Sequence, residues 1–366
     1  MPTETVATEA LLPQSRVASR RILRLALGTA VSLWISQAVG WSLSYIAPIV
    51  TLFLLAMPVP KPQPKFFVVV VLAIVVSVYG SFVFLPLLLH QTLVGVLLLA
   101  LALFHSFYFT ARGGPAAVGT LITIGLAMTV AVGSVSVDAL LAVAVGLTFG
   151  AIVGAAVALL SHLVIPDPPA ATAVEGSNDN SEGTAPAPLD VARRNAMRSL
   201  AIVLPIAVWF LLSSASASNA AVMIKVAAMG QEASAQAARA AARSLIQSTV
   251  AGGAGAIIAW ELLRIWPSLT LYTLLVALAG LLFGPRVFKG AGLQPNGATW
   301  SYGLLTMIVI LAPAVLDGDF GSAAGARFYD RLFMFLWATL YGVGAVYVFE
   351  AFWPGRQPQQ RQAEPT

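Results

Sequence analysis

A lysine set inside a hydrophobic run is the first residue of this chain with chemistry to offer. Lys225 stands in the stretch Ala220-Ala-Val-Met-Ile-Lys-Val-Ala-Ala-Met229, and Glu232, Gln236, Arg239, Arg243 and Gln247 follow at steps of three or four residues. Read as one continuous helix from Asn219 to Gln247, that spacing puts these side chains on a single face. A polar stripe then leaves the membrane along one side of one helix. A lysine at the centre of a bilayer costs about 2.5–3.5 kcal/mol on insertion scales, so such residues face a cavity or a partner. Toward a cavity its ammonium attracts a substrate carboxylate as a point charge; the competing reading lets it snorkel to the interface near Gln231. Arg239 and Arg243, four apart, form a vestibule that collects anions, or else anchor the helix on the cytoplasmic side. Glu232, between Lys225 and this pair, is a salt-bridge partner or a proton acceptor.

Other chemistry finds little support. There is no cysteine, and His90, His105 and His162 match no metal-ligand spacing. Neither a nucleophile elbow nor a phosphate-binding loop is present, so the chain reads as a non-enzyme without a cofactor, and an ATP-driven pump is excluded for this chain alone.

The elements that position these residues are membrane helices. Of the 366 residues, 58% are hydrophobic and only 10% charged, with a mean hydropathy of +0.86. A soluble domain of this size buries only about three-quarters of the surface its chain could expose, so the class is an all-α polytopic membrane helix bundle. Apolar segments fall at about 22–39, 41–58, 66–89, 91–110, 116–135 and 137–165, then at about 199–217, 219–231, 244–263, 268–284, 299–316 and 329–353. That makes about twelve transmembrane helices in two sets of six. Residues 1–19 are a cytoplasmic tail, 20–165 the first six-helix repeat, 166–190 a flexible Pro-rich cytoplasmic linker, 191–354 the second repeat and 355–366 a second cytoplasmic tail.

With both termini cytoplasmic, only Arg264, Arg327 and Arg331 fall outside and Lys225 lies in the membrane; every other lysine and arginine is inside. The net charge of +5 is thereby explained by membrane orientation and implies no nucleic-acid partner.

The two sets look like copies. Arg20, Arg21, Arg24 and Trp34 open the first; Arg193, Arg194, Arg198 and Trp209 open the second. Each sixth helix begins near an aspartate with a glycine twelve residues on, Asp138 with Gly150 and Asp330 with Gly342. An even number of spans makes the repeats parallel, related by an axis along the membrane normal. Asp138 and Asp330, placed equivalently on the outer side, are the candidates for proton coupling, against an N-capping role. Gly146, Gly150 and Gly154, four apart, present a bare face for close helix packing.

These features resemble a known group. The arginine cluster followed by Leu25-Ala-Leu-Gly-Thr29, then Trp41-Ser-Leu-Ser-Tyr-Ile-Ala-Pro-Ile-Val-Thr51, is similar to the fusaric-acid-resistance family and the aromatic acid exporters, and in particular to a short branch known mainly as a domain of unassigned function. The second half adds Met229-Gly-Gln-Glu and Thr249-Val-Ala-Gly-Gly-Ala-Gly255. The resemblance implies a multi-pass protein of the bacterial inner membrane that exports small, often aromatic, organic acids. It also implies proton coupling and a periplasmic adaptor as partner; a homo-oligomer is a further possibility. Lys225, Arg239, Arg243 and Glu232 are then the substrate-binding residues. An uncoupled organic-anion channel and a non-transporting scaffold for the adaptor stay open as alternatives.

Overall fold

The computed structural model describes residues 3–41, 43–57, 63–83, 86–87, 90–133, 137–167, 188–212, 220–234, 238–290, 292–316 and 322–353. Among them the chain forms twelve helices: α1 (Thr3–Val39), α2 (Ile46–Ala56), α3 (Pro64–Ser81), α4 (Thr92–Ala111), α5 (Ala116–Gly133), α6 (Val137–Val164), α7 (Leu189–Leu212), α8 (Ala220–Ser234), α9 (Ala238–Ile265), α10 (Leu269–Val287), α11 (Gly297–Leu316) and α12 (Ser322–Phe352). A two-residue hairpin, β1 (Phe288–Lys289) with β2 (Gly292–Leu293), joins α10 to α11.

Local chemistry sets several boundaries. Pro64 opens α3 at a position where its missing N–H is no loss, and Ser268 caps α10 by accepting the Leu271 N–H at 3.1 Å. Gly40 and Leu43 both take positive φ, 74° and 60°, and reverse the chain between α1 and α2. That turn uses up the start of the segment expected to span from 41 to 58. The helix that follows has 11 residues, about 16 Å at 1.5 Å per residue, against a hydrocarbon core of about 30 Å. Its repeat partner α8 has 15 residues, about 22 Å. Eight helices, α1, α3, α4, α6 and α9 to α12, are long and apolar enough to cross a bilayer. Helix α1 begins at Thr3, within the segment expected as the N-terminal tail, and its apolar stretch starts at Ser15. The tail at 355–366 and most of the linker lie outside the described residues.

All of α2 is buried, as are Val222–Ser234 of α8 and Ser301–Ala314 of α11. With α5 these form the centre, and the outer helices carry apolar side chains such as Val68, Leu97, Leu274 and Phe333 to the exterior, where lipid is the matching solvent. The halves interlock. α1 packs against α10 as α7 packs against α4, α2 against α11 as α8 against α5, and α3 on α5 and α6 as α9 on α11 and α12. Bare glycines allow the close approaches: a Cβ on Gly280 would lie 2.7 Å from the Ala26 Cα, and one on Gly154 would lie 2.6 Å from the Ala47 carbonyl oxygen.

The arginine clusters that open each half reach the end of that half's sixth helix. Arg21 and Arg24 pair with Asp167 at 2.8 and 3.0 Å, all three buried. Arg194 and Arg198 pair with Glu350, Arg198 at 3.2 Å. Asp167 is thus not loose linker: it and Glu350 each tie the first helix of a repeat to the last.

Filling the α1–α10 contact tests the packing. Gly280→Leu forces the helices apart and is expected to lower stability by about 1–3 kcal/mol, read as a fall in the thermal unfolding midpoint in detergent. Gly344→Leu, which meets nothing within 4 Å, serves as the unaffected control.

Candidate functional site

Helix α8 gathers the polar groups of the core. Lys225 and Glu232 are seven residues apart, two turns, and so share a face; each is 1% exposed. Lys225 is bonded to α11 and Glu232 to α9. The Lys225 Nζ donates to the Thr306 hydroxyl at 2.9 Å, while that hydroxyl gives its own proton to the Tyr302 carbonyl at 2.8 Å. Nζ has three N–H groups, and this is its one hydrogen bond among the described contacts. Lys225 therefore does not reach the interface, and the snorkelling reading is overturned by the closed shell of helices around α8.

Glu232 is held by hydroxyls. Ser244 donates to Oε1 and Ser248 to Oε2 at 3.5 Å. Ser244 also shares a hydrogen bond with Thr299 at 2.5 Å, so when Ser244 donates to the carboxylate, Thr299 donates to Ser244. The charges of Lys225 and Glu232 act on each other across the buried face.

The adjacent residue points the other way. Gln231, fully buried, donates from Nε2 to Thr123 on α5 at 2.7 Å and to Ser106 on α4 at 3.2 Å. It fits because Gly119 is bare; a Cβ there would lie 2.1 Å from Thr110 Oγ1 and 3.0 Å from Gln231 Oε1. On α11, Tyr302 shares a 3.2 Å hydrogen bond with Thr120 of α5. One polar seam thus joins helices of both halves through α8.

The expectation of one continuous helix from Asn219 to Gln247 fails. In such a helix Glu232 and Ser244 would be twelve residues, about 18 Å, apart, yet they are hydrogen-bonded. α8 and α9 are separate helices that lie side by side; Gln236 falls at 235–237, outside the described residues. α8 runs through Gly230, whose bare face takes Val203 and Phe107. Arg239 and Arg243 therefore sit on α9 and are exposed, not in line with Lys225. Asp138 and Asp330 are exposed, and Asp330 stands twelve residues, about 18 Å along α12, from the Gly342 that packs on Met229. The structure brings Lys225 and Glu232 together and leaves the other four candidates apart. Gln231, Ser244, Ser248, Thr299 and Thr306 complete the cluster without having been expected in it.

Residues 21–161 match the model of a family described as a protein of unknown function, DUF2955. No curated protein and no solved structure matches the chain. The matched stretch runs from α1 to nearly the end of α6, so the polar cluster on α8 lies in the half beyond it.

Neutralising either buried charge strands the other. Lys225→Met and Glu232→Gln should each lower stability, and the double variant should recover part of the loss, with a coupling of about 0.5–3 kcal/mol. Thermal unfolding of all four proteins gives the cycle; strictly additive single effects would show two independent charges.

Proposed function

We propose that this chain is an efflux component of the bacterial inner membrane that exports small organic acids, aromatic carboxylates among them, coupled to protons and passing its cargo to a periplasmic adaptor. The observation that carries this reading is Lys225, a cation closed inside the helix core with two N–H groups unspent among the described contacts. A lysine so placed favours a carboxylate by charge, and ionisable groups at membrane depth mark substrate and ion pathways. The resemblance to the aromatic acid exporters supports the same direction.

In this scheme Arg239 and Arg243, exposed on α9, raise the local concentration of anions at the cytoplasmic entrance. Beside the seam between the two halves, a crevice of about 660 Å³ is lined by the stacked rings of Phe104 and Tyr108 together with Arg193 and Asp190. An aromatic ring with one negative charge suits that lining, the ring against Phe104 and Tyr108 and the charge toward Arg193. Asp138 in the first turn of α6 and Asp330 about two turns into α12 exchange protons with the periplasm.

Purified protein in liposomes loaded with benzoate tests the reading. Lys225→Ala is expected to cut efflux at least about tenfold, the loss of one charge-assisted contact of about 1.4 kcal/mol or more, while the variant still inserts; unchanged flux would remove the lysine from the mechanism. The double variant Arg239→Ala/Arg243→Ala should instead raise the half-saturating benzoate concentration a few-fold with little change in maximal rate, and the difference should fade as salt screens the entrance.

A further inference from the structure

We infer that the Lys225 face takes a carboxylate and a proton together, the proton residing on Glu232, so that the cargo crosses as the electrical equivalent of the neutral acid. This rests on the organic-anion reading of Lys225.

The buried face is balanced as it stands, one ammonium against one carboxylate. The other ionisable groups on the surrounding helices are engaged elsewhere or exposed; on α12 the buried Arg331 acts on Tyr45, between α1 and α2, and Arg327 and Asp330 are exposed. On α7, Arg194 and Arg198 are engaged with Glu350 of α12, and Arg198 also donates to the Ala233 carbonyl at 2.6 Å. On α9, Arg239 and Arg243 are exposed, and the half-buried Glu261 pairs with the exposed Arg264. α11 offers only Tyr302, a neutral hydroxyl bonded to Thr120. His105 and Tyr108 of α4 lie on its outer surface, His105 exposed and bonded to the Leu101 carbonyl, and α5 has no ionisable side chain. A carboxylate taken by the free N–H groups of Lys225 therefore brings a second negative charge to a closed region with one positive charge. Uptake of one proton restores the balance.

The ligands of Glu232 decide where that proton goes. Asp167 and Glu350 are held by arginines, which only donate and so suit only the ionised acid. Glu232 is held by Ser244 and Ser248. A hydroxyl donates to a carboxylate and, turned about its C–O bond, accepts from a carboxylic acid. With Thr299 behind Ser244, the same three side chains satisfy both states without moving the helices. The step is the formation of one O–H bond on Glu232 with a proton from solvent on the loading side, and its breakage on the releasing side.

Binding linkage then fixes the sign. Proton and anion raise each other's affinity by the same factor, so anion binding weakens by up to about tenfold per pH unit where Glu232 is ionised in the free protein. Transport by this route moves no net charge, and its direction follows the combined gradient of acid anion and proton.

The test is calorimetric titration of the full chain in detergent with benzoate, between about pH 6 and 8, where benzoate is wholly ionised. Two buffers of different ionisation enthalpy give the protons taken up per anion. The expected result is uptake of about one proton at the upper end of that range, with affinity falling as pH rises. In Glu232→Gln both the uptake and the pH slope should vanish. Binding by the wild type with no uptake, or with proton release, overturns the co-binding; uptake that persists in Glu232→Gln overturns the assignment to Glu232. Folded wild type that binds no benzoate overturns the anion reading itself. Should Glu232→Gln not fold, Ser244→Ala/Ser248→Ala takes its place, and a pH profile identical to wild type in that variant overturns the assignment.

Discussion

Two helices at the centre of this protein are too short to cross a bilayer, and a bilayer offers nothing to the polar groups at a helix end. The rest of the bundle answers that constraint. α2 and α8 are wholly sheathed by longer helices, with bare glycines on α6 letting α2 sit close and bare Gly342 on α12 taking Met229. The last turn of α8 is finished from within the protein: Arg198 donates to the Ala233 carbonyl and Ser234 to that of Gln231. Once sheathed, α8 is a place where polar side chains face one another across protein instead of lipid, which is what allows Lys225, Gln231 and Glu232 to be buried at all.

The same chemistry serves two ends here, and its geometry separates them. Arginine against carboxylate gives a fixed tie, because a guanidinium only donates and its plane sets the direction. Asp167 and Glu350 are used in that way, each fastening the first helix of its repeat to the last. Hydroxyl against carboxylate gives a contact that survives a change of protonation. Glu232 is the carboxylate treated in this second way, and it sits on the helix shared by both halves, not at their rims. Frame and cluster are thus distinguished by the kind of ligand around each acid.

Much of this was legible in the chain. Long apolar runs and the bias of basic residues mark α1, α3, α4, α6 and α9 to α12 because lipid-facing helices must be apolar on every outward position. The matching arginine clusters pointed to the repeat because both copies need the same tie. What stayed hidden depends on contacts distant in sequence. Ala235-Gln-Ala237 consists of good helix formers, so no composition signal marks the boundary between α8 and α9 that lets Ser244 lie beside Glu232. Serine and threonine are common on membrane helices, and nothing local singles out Ser244, Thr299 or Thr306 until the helices are packed. Asp167 sat in a Pro-rich stretch whose composition reads as unfolded, although Arg21 and Arg24 hold it fast.

The doubled frame is not used twice. α2, the counterpart of α8, has Thr51 as its one hydroxyl, satisfied by the Ala47 and Gly154 carbonyls, and carries no charge. The first copy is a packing element and the second carries the ionisable residues, a division of labour open to a doubled frame in which one copy suffices to hold the shape. Variation in α8, α9 and α11 is then free to retune a single polar face, with an inert twin preserving the architecture around it.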